Sequence, residues 1–427
     1  MTIQNSNIFS GLNSAQLEAV KCVDGASLII AGAGSGKTRV LTCRIANVIN
    51  LGCDPSRILA LTFTKKAASE MKERIGNLVG GRAARRIYMG TFHSVFIRFL
   101  RDYAHLLGFS KDFTIYDTSD SKSAIKNCIK ELQLDDKVYK PNEVLSRISL
   151  AKNNLITSAG YINNATLVSQ DVQNKKGQIC NIYKLYSQKC KESSAMDFDD
   201  ILLYTNILFR DFPDALKDVR ERFSYIFVDE YQDTNSSQYL ILKRLAEKHQ
   251  NICVVGDDSQ SIYAFRGAVV ENILNFKKDY PTANVFKLEQ NYRSTQTIVE
   301  AANSLISKNS NRLKKECFSE GNKGDKIELL TAQNDMEEGF MVVSSILNRI
   351  YQTKSPYSDF TILYRTNAQS RAIEEALRKR NIPYRIYAGH SFYDRAEVKD
   401  LLSYFRLVIN NKDNEAFKRV INVPARG

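Results

Sequence analysis

The chain has 427 residues, 43% hydrophobic and 25% charged, with a formal net charge of +13, which is room for roughly two to four domains, each with its own core. No apolar run is long enough to span a bilayer, and the first residues lack the basic-then-apolar order of a secretion signal, so the expected compartment is the cytoplasm, with no membrane anchor. Eight scattered cysteines without a CxxC pair, and only four histidines, argue against a disulfide framework and a zinc site.

Short apolar, β-rich runs at 26–30, 58–61, 86–89, 225–228, 252–255, 285–288 and 360–364 are each followed by a helical pattern. That alternation predicts a mostly parallel sheet covered by helices. The first run leads into Ala31-Gly32-Ala33-Gly34-Ser35-Gly36-Lys37-Thr38 and then a periodic helix at 39–48. This is the context of a phosphate-binding loop. Backbone N–H groups cradle phosphates, Lys37 reaches the β and γ oxygens of a nucleoside triphosphate such as ATP, and the Thr38 hydroxyl ligates Mg²⁺. Ala31 stands where the strict pattern has glycine and adds only a methyl group at the loop's entrance. From Lys65 to Arg101, nine Lys/Arg accompany only Glu70 and Glu73. Such a face would draw a polyanion by counterion release, although on charge alone a solvated helical surface is the better account. Between about 117 and 186 the strand signal fades into a helical, Lys- and Asn-rich insertion. The run at 225–228 ends in Asp229 and Glu230, which places adjacent carboxylates at the carboxyl edge of the sheet. Asp229 suits Mg²⁺ through water, and Glu230 suits the general base that polarises an attacking water. Alone, such a pair is more often a helix cap or a solvated turn; with the phosphate loop upstream it becomes the other half of an NTPase site. Pro281 marks a hinge before a second α/β group, and past 387 the pattern turns helical again through 394–409.

The run from Asp229 to Asp233, the stretch from Val255 to Ala268 and the run from Leu288 to Ser294 carry a resemblance. With ordered blocks at 13–16, 61–71, 90–94, 197–202 and 364–371, they resemble the UvrD/Rep/PcrA group of superfamily 1 helicases over essentially the whole chain. The resemblance implies an α/β fold of tandem RecA-like P-loop NTPase domains with a helical insertion domain. Its expected parts are an ATP-binding motor domain at 1–110 and 187–280, the insertion at 111–186, a second motor domain at 281–385 and the start of that domain's own helical insertion at 386–427. Two later blocks of the family are not found, so the second motor domain is expected to be incomplete. The implied activity is that of an ATP- and Mg²⁺-dependent 3′-to-5′ DNA helicase. It would translocate on single-stranded DNA and act at duplex junctions, alongside proteins of DNA repair or replication.

Position by position, Gln16 looks like the adenine-reading glutamine, Tyr292 like the aromatic that stacks on the base, and Arg39 like a residue that helps hold the adenine. Gln260 resembles the glutamine that couples the γ-phosphate to the DNA-facing motif, and Arg293 an arginine that reaches the γ-phosphate. The matching strand contacts are Phe63, Thr64, Thr91, His93, Phe198, Tyr263, Phe265, Arg266, Arg365 and Asn367. Aromatic rings grip any base through its π-face, and the polar residues hold phosphate. A nucleotide-gated DNA-binding module without turnover and the helicase part of a helicase–nuclease are the rivals; a small-molecule kinase would leave the aromatic loop Tyr263–Arg266 without a purpose.

Overall fold

The computed structural model of the chain describes residues 8–387 and 395–425. Asp394, where the last helical pattern was expected to begin, and Arg426 and Gly427 lie outside the described residues. Two compact units are present among the described residues, one formed by the chain up to 323 together with 400–425 and the other by 324–387 with 395–399.

The first unit is built on a six-stranded sheet in the order β3-β2-β6-β7-β1-β8. Its strands are β1 (Ser27–Ala31), β2 (Ile58–Thr62), β3 (Tyr88–Thr91), β6 (Tyr225–Val228), β7 (Ile252–Gly256) and β8 (Asn284–Leu288), all paired in parallel. A parallel sheet is covered on both faces, which is why its strands read as near-continuous apolar runs. Successive residues serve opposite layers. Leu28, Ile30, Leu59, Leu61, Ile226 and Val228 enter one core with Phe96 and Phe99; Ile29, Ala31, Ile58, Ala60 and Phe227 enter the other with Val40, Leu41 and Ile45. The expected α/β class with a mostly parallel sheet is thus what the structure has.

Three segments pack across the expected boundaries. β8 was assigned to a second group beginning at 281, yet it pairs along its full length with β1, from Ser27 opposite Asn284 to Ala31 opposite Leu288. The helical insertion has its own core of Ile125, Ile148, Tyr161, Ile182 and Tyr186. It runs past 186 through the helix Ile179–Glu192, and it is closed at its base by the parallel pair β4 (Thr114–Tyr116) and β5 (Ala195–Asp197). Residues 400–425, expected in the second motor domain's own helical insertion, pack with this first unit. Asn410 Nδ2 donates to Thr114 Oγ1 at 2.9 Å and to the Ser193 carbonyl at 3.0 Å, and Arg406 pairs with Asp120 at 2.8 Å.

In the second unit the helices Asp335–Thr353 and Asn367–Lys379 close on a small core of Val343, Ile373, Leu377 and Ile382. The strand expected at 360–364 does not form among the described residues. An apolar run becomes a strand only by pairing, and Leu363 instead remains 89% exposed.

The insertion is fastened to the sheet domain by a buried cation. Lys152, 1% exposed, donates to Asp197 at 2.6 Å and Asp200 at 2.8 Å. Despite burial, the two carboxylates hold Lys152 above its ordinary range, while burial and then repulsion from Asp197 push Asp200 up to about 7. Removing the cation strands two buried carboxylates. Lys152→Met is expected to cost about 3–5 kcal/mol in chemical denaturation. In the same experiment Lys66→Met, which breaks the exposed pair with Glu70, should change stability by less than about 1 kcal/mol.

Candidate active site

Because β6, β7 and β1 are neighbours, the loops at their carboxyl ends meet. The glycine-rich loop after β1 turns through Gly34 at φ +67° and Gly36 at φ +85°, conformations that favour glycine, and delivers Lys37 as the first residue of the helix Lys37–Asn50. Space is as restrictive as torsion here. A methyl group on Gly34 would stand 2.7 Å from Arg293 Cβ, and one on Gly32 only 2.2 Å from Cys317 Sγ.

At the end of β6, Asp229 is 5% exposed, and Glu230 takes φ +50°, a left-handed bend rare outside glycine. The bend leaves Glu230 Oε2 3.5 Å from Lys37 Nζ and 2.9 Å from Gln232 Nε2. Asp229 accepts hydrogen bonds from Thr38 and from the Glu230 N–H. Burial, then repulsion from Glu230, still pushes its carboxyl up to about 6. The same two causes push Asp233 up to about 6, and its Oδ1 is buried with no hydrogen-bond partner among the described residues. Three carboxylates therefore share one lysine, an arrangement short of positive charge.

A polar chain leads from Glu230 to the loop after β7. Gln232 Oε1 accepts from the Asp257 N–H at 3.0 Å, and Gln260 Nε2 donates to Asp257 Oδ2 at 2.5 Å. Lys315, only 4% exposed at its side chain, pairs with Asp257 and Asp258 at 2.7 Å each. Sequence reasoning missed Gln232 although it lies inside a quoted run, and it missed Lys315 because nothing marks one lysine within a Lys-rich stretch.

The residues expected around a base are present but already engaged. Gln16 is 2% exposed; its Nε2 donates to the Ser35 carbonyl at 2.9 Å and its Oε1 accepts from the Asn13 N–H. Arg39 donates to the Ser10 carbonyl at 2.8 Å. The ring of Tyr292 is 55% exposed, with its hydroxyl fixed between Asn13 and Gln290. Asn291, unmarked in the sequence reading, ties the segment to the loop by donating to the Ala33 carbonyl at 2.7 Å. Arg293 is exposed beside Gly34.

The expected strand contacts divide. Phe63, Tyr263 and Phe265 form a ring series with centroids 5.0 and 5.9 Å apart, and the Arg266 guanidinium lies 5.5 Å from both of the latter rings. They line a cavity of about 450 Å³ together with Thr91, His93 and the insertion residues Ser146, Ser149 and Asn153. His93 meets the ring of Phe198, itself 53% exposed, edge-on at 5.8 Å; burial lowers the imidazole to about 4, so it is neutral at pH 7. Thr64 and Thr91 serve as helix N-caps, accepting from the Ala67 and Ser94 N–H groups. Arg365 and Asn367 belong to the other unit, where Asn367 begins the helix Asn367–Lys379.

The strained charge at Asp229 has a pH signature. Its folded pKa, about 6, lies above the ordinary 3.8, so the stability it lends is complete below about pH 4 and is lost as pH rises through 6. In metal-free buffer, Asp229→Asn should raise unfolding stability at pH 7.5 by on the order of 2 kcal/mol, and the gain should vanish at pH 4 when both proteins are denatured in parallel.

Comparison with known proteins places this geometry. A family model of the UvrD/REP helicase N-terminal domain matches residues 12–281, and one of the UvrD-like helicase C-terminal domain matches 286–427. The second match, which begins inside β8, is the finding that stands against the expectation of an incomplete second domain. The chain is 47% identical over 420 residues to the ATP-dependent DNA helicase PcrA of Leuconostoc citreum, covering 98% of this chain and 55% of that protein. It is 47% identical over 429 residues to the protein of the same name from Bacillus subtilis (strain 168), covering 100% of this chain and 57% of that one. The corresponding Staphylococcus aureus (strain Mu50 / ATCC 700699) protein is 46% identical, again with 57% of its length covered. The chain thus spans a little over half the length of the curated relatives it matches. With one family model matching well over half of it and relatives 46–47% identical along nearly all of it, the chain belongs to the UvrD/REP helicase family.

Proposed function

We propose that this chain is the ATP-hydrolysing, strand-gripping part of a 3′-to-5′ DNA helicase. One observation carries the reading. The loop after β7 begins at Asp257, hydrogen-bonded into the Glu230–Gln232 network, and ends in Tyr263, Phe265 and Arg266 on the wall of the aromatic cavity. A single short segment therefore connects, through Gln232 and Glu230, the lysine of the glycine-rich loop to a surface suited to stacking bases.

The chemistry follows from the residues. Backbone N–H groups of residues 33–37 and the start of the helix Lys37–Asn50 hold phosphates, and Lys37 neutralises the β and γ oxygens. Glu230, bent back toward the loop, takes the proton from the attacking water. Thr38 and Asp229 offer hard oxygens to Mg²⁺, and the shortage of positive charge around Asp229 and Asp233 fits a cation there. When bound, Mg²⁺ would offset charge on the phosphates. Gln260, which donates to Asp257, exchanges that partner for the γ-phosphate in this reading and so shifts the aromatic loop. Phe63, Tyr263 and Phe265 stack bases without reading sequence, and Arg266 holds phosphate. Polarity rests on the family resemblance, as does the second-domain role of Arg365 and Asn367.

The test is ATP hydrolysis by the chain with and without single-stranded DNA. Strand should stimulate turnover, and Lys37→Ala and Glu230→Gln should each lower the stimulated rate by about 10²–10⁴-fold. ATP binding without turnover in the unmodified chain would replace this reading by that of a nucleotide-gated strand-binding module.

A further inference from the structure

We propose that Asn153, the last residue of the insertion's helix Pro141–Asn153, is a positioning residue through which strand in the aromatic cavity and nucleotide at the sheet edge sense one another. The inference rests on the function proposed above and assigns the coupling to a residue outside the motifs.

Asn153 meets three separate segments. Its Oδ1 accepts from Asn235 Nδ2 at 2.5 Å, and its Nδ2 donates to Asp199 Oδ1 at 3.0 Å. A methyl group on Gly267 would stand 3.5 Å from its Cβ, so it packs directly on the residue that follows Arg266. Each segment leads to a working part. Asn235 ends the turn that starts at Glu230, and it caps the helix Ser236–Ala246 through Gln238 N at 2.9 Å. Thr234, one residue before it, accepts through its carbonyl from the Val269 N–H, which ties the same turn to the end of the aromatic loop. Asp199 follows Phe198, whose ring meets His93.

An amide suits this place because it offers an acceptor to Asn235 and a donor to Asp199 at once. A carboxylate would keep the first bond and set like charges against Asp199; a methyl group would keep neither. The neighbouring Lys152, held by Asp197 and Asp200, prevents the helix end from sliding away. A displacement of the turn after Glu230 is thereby passed to Phe198 and Gly267 together, and strand pressing on those two is passed back. Coupling of this kind is reciprocal by thermodynamic necessity.

The experiment measures linkage, not turnover. Affinity of the chain for a fluorescent deoxythymidine oligonucleotide is determined with and without a non-hydrolysable ATP analogue, for the unmodified chain, Asn153→Asp, Asn235→Ser and the double variant. Asn235→Ser is the control for folding: serine still caps the helix but is too short to reach Asn153. The unmodified chain should show a nucleotide-dependent change of roughly 5–150-fold. Each single variant should bring that factor to about one, and the double variant should lower it no further. Persistence of the full factor in a folded Asn235→Ser chain overturns the role of Asn153 and leaves the proposed function standing. Failure of the unmodified chain to bind the oligonucleotide overturns both.

Discussion

The position of β1 between β7 and β8 is the constraint on which the rest depends. Parallel pairing on both sides, with Ile30 opposite Gly256 and opposite Lys287, fixes where the glycine-rich loop leaves the sheet. It also decides what stands beside that loop. From the β7 side come Asp257 and Gln260; from the β8 side come Asn291, Tyr292 and Arg293, close enough that no side chain fits on Gly34. Register in a sheet buried on both faces is strongly specified, because a slip of one residue would exchange the two cores.

Charge is the second organising factor. Asp229, Glu230 and Asp233 surround Lys37, and the first and last of these carboxyls are pushed up to about 6 by burial and by Glu230. A site in that condition is poised for a ligand that brings positive charge with it. The left-handed bend at Glu230 adds backbone strain to the same place, of the order of 1–3 kcal/mol. Gln232 relaxes the site only in part, its Nε2 donating to Glu230 and Asp233 while its Oε1 accepts from the Asp257 N–H of the loop after β7.

How much of this could be read from the sequence follows the range of each interaction. The glycine-rich loop and the acidic strand end are local patterns, and the structure sets them side by side. The strands at 225–228 and 252–255 were legible because a doubly covered strand is apolar at every position. The run at 360–364 looked equally good, but its ladder depends on a neighbour that pattern alone does not supply. β8 was visible as a strand and misplaced as to sheet, since pairing with β1 joins positions 27 and 284. Thr64 and Thr91 were read as strand contacts, whereas their hydroxyls also satisfy helix ends, a role equally consistent with the same letters. Asn153, Asn291 and Lys315 act across long separations and carry no local mark.

The seams inside the first unit explain why those long-range polar residues matter. The insertion meets the sheet domain through Lys152 with two aspartates and Asn153 with Asn235, and the 400–425 segment meets the insertion through Arg406 and Asn410. An apolar seam tolerates small slides because its contacts are many and undirected. A buried hydrogen-bonded seam does not: each group either has its partner at the right angle or is left unsatisfied at a cost of about 1–3 kcal/mol. Motion across it is therefore confined to displacements that keep every bond or exchange one complete set for another. Under the coupling proposed for Asn153, that all-or-none character would let a small change at the glycine-rich loop arrive intact at the aromatic cavity.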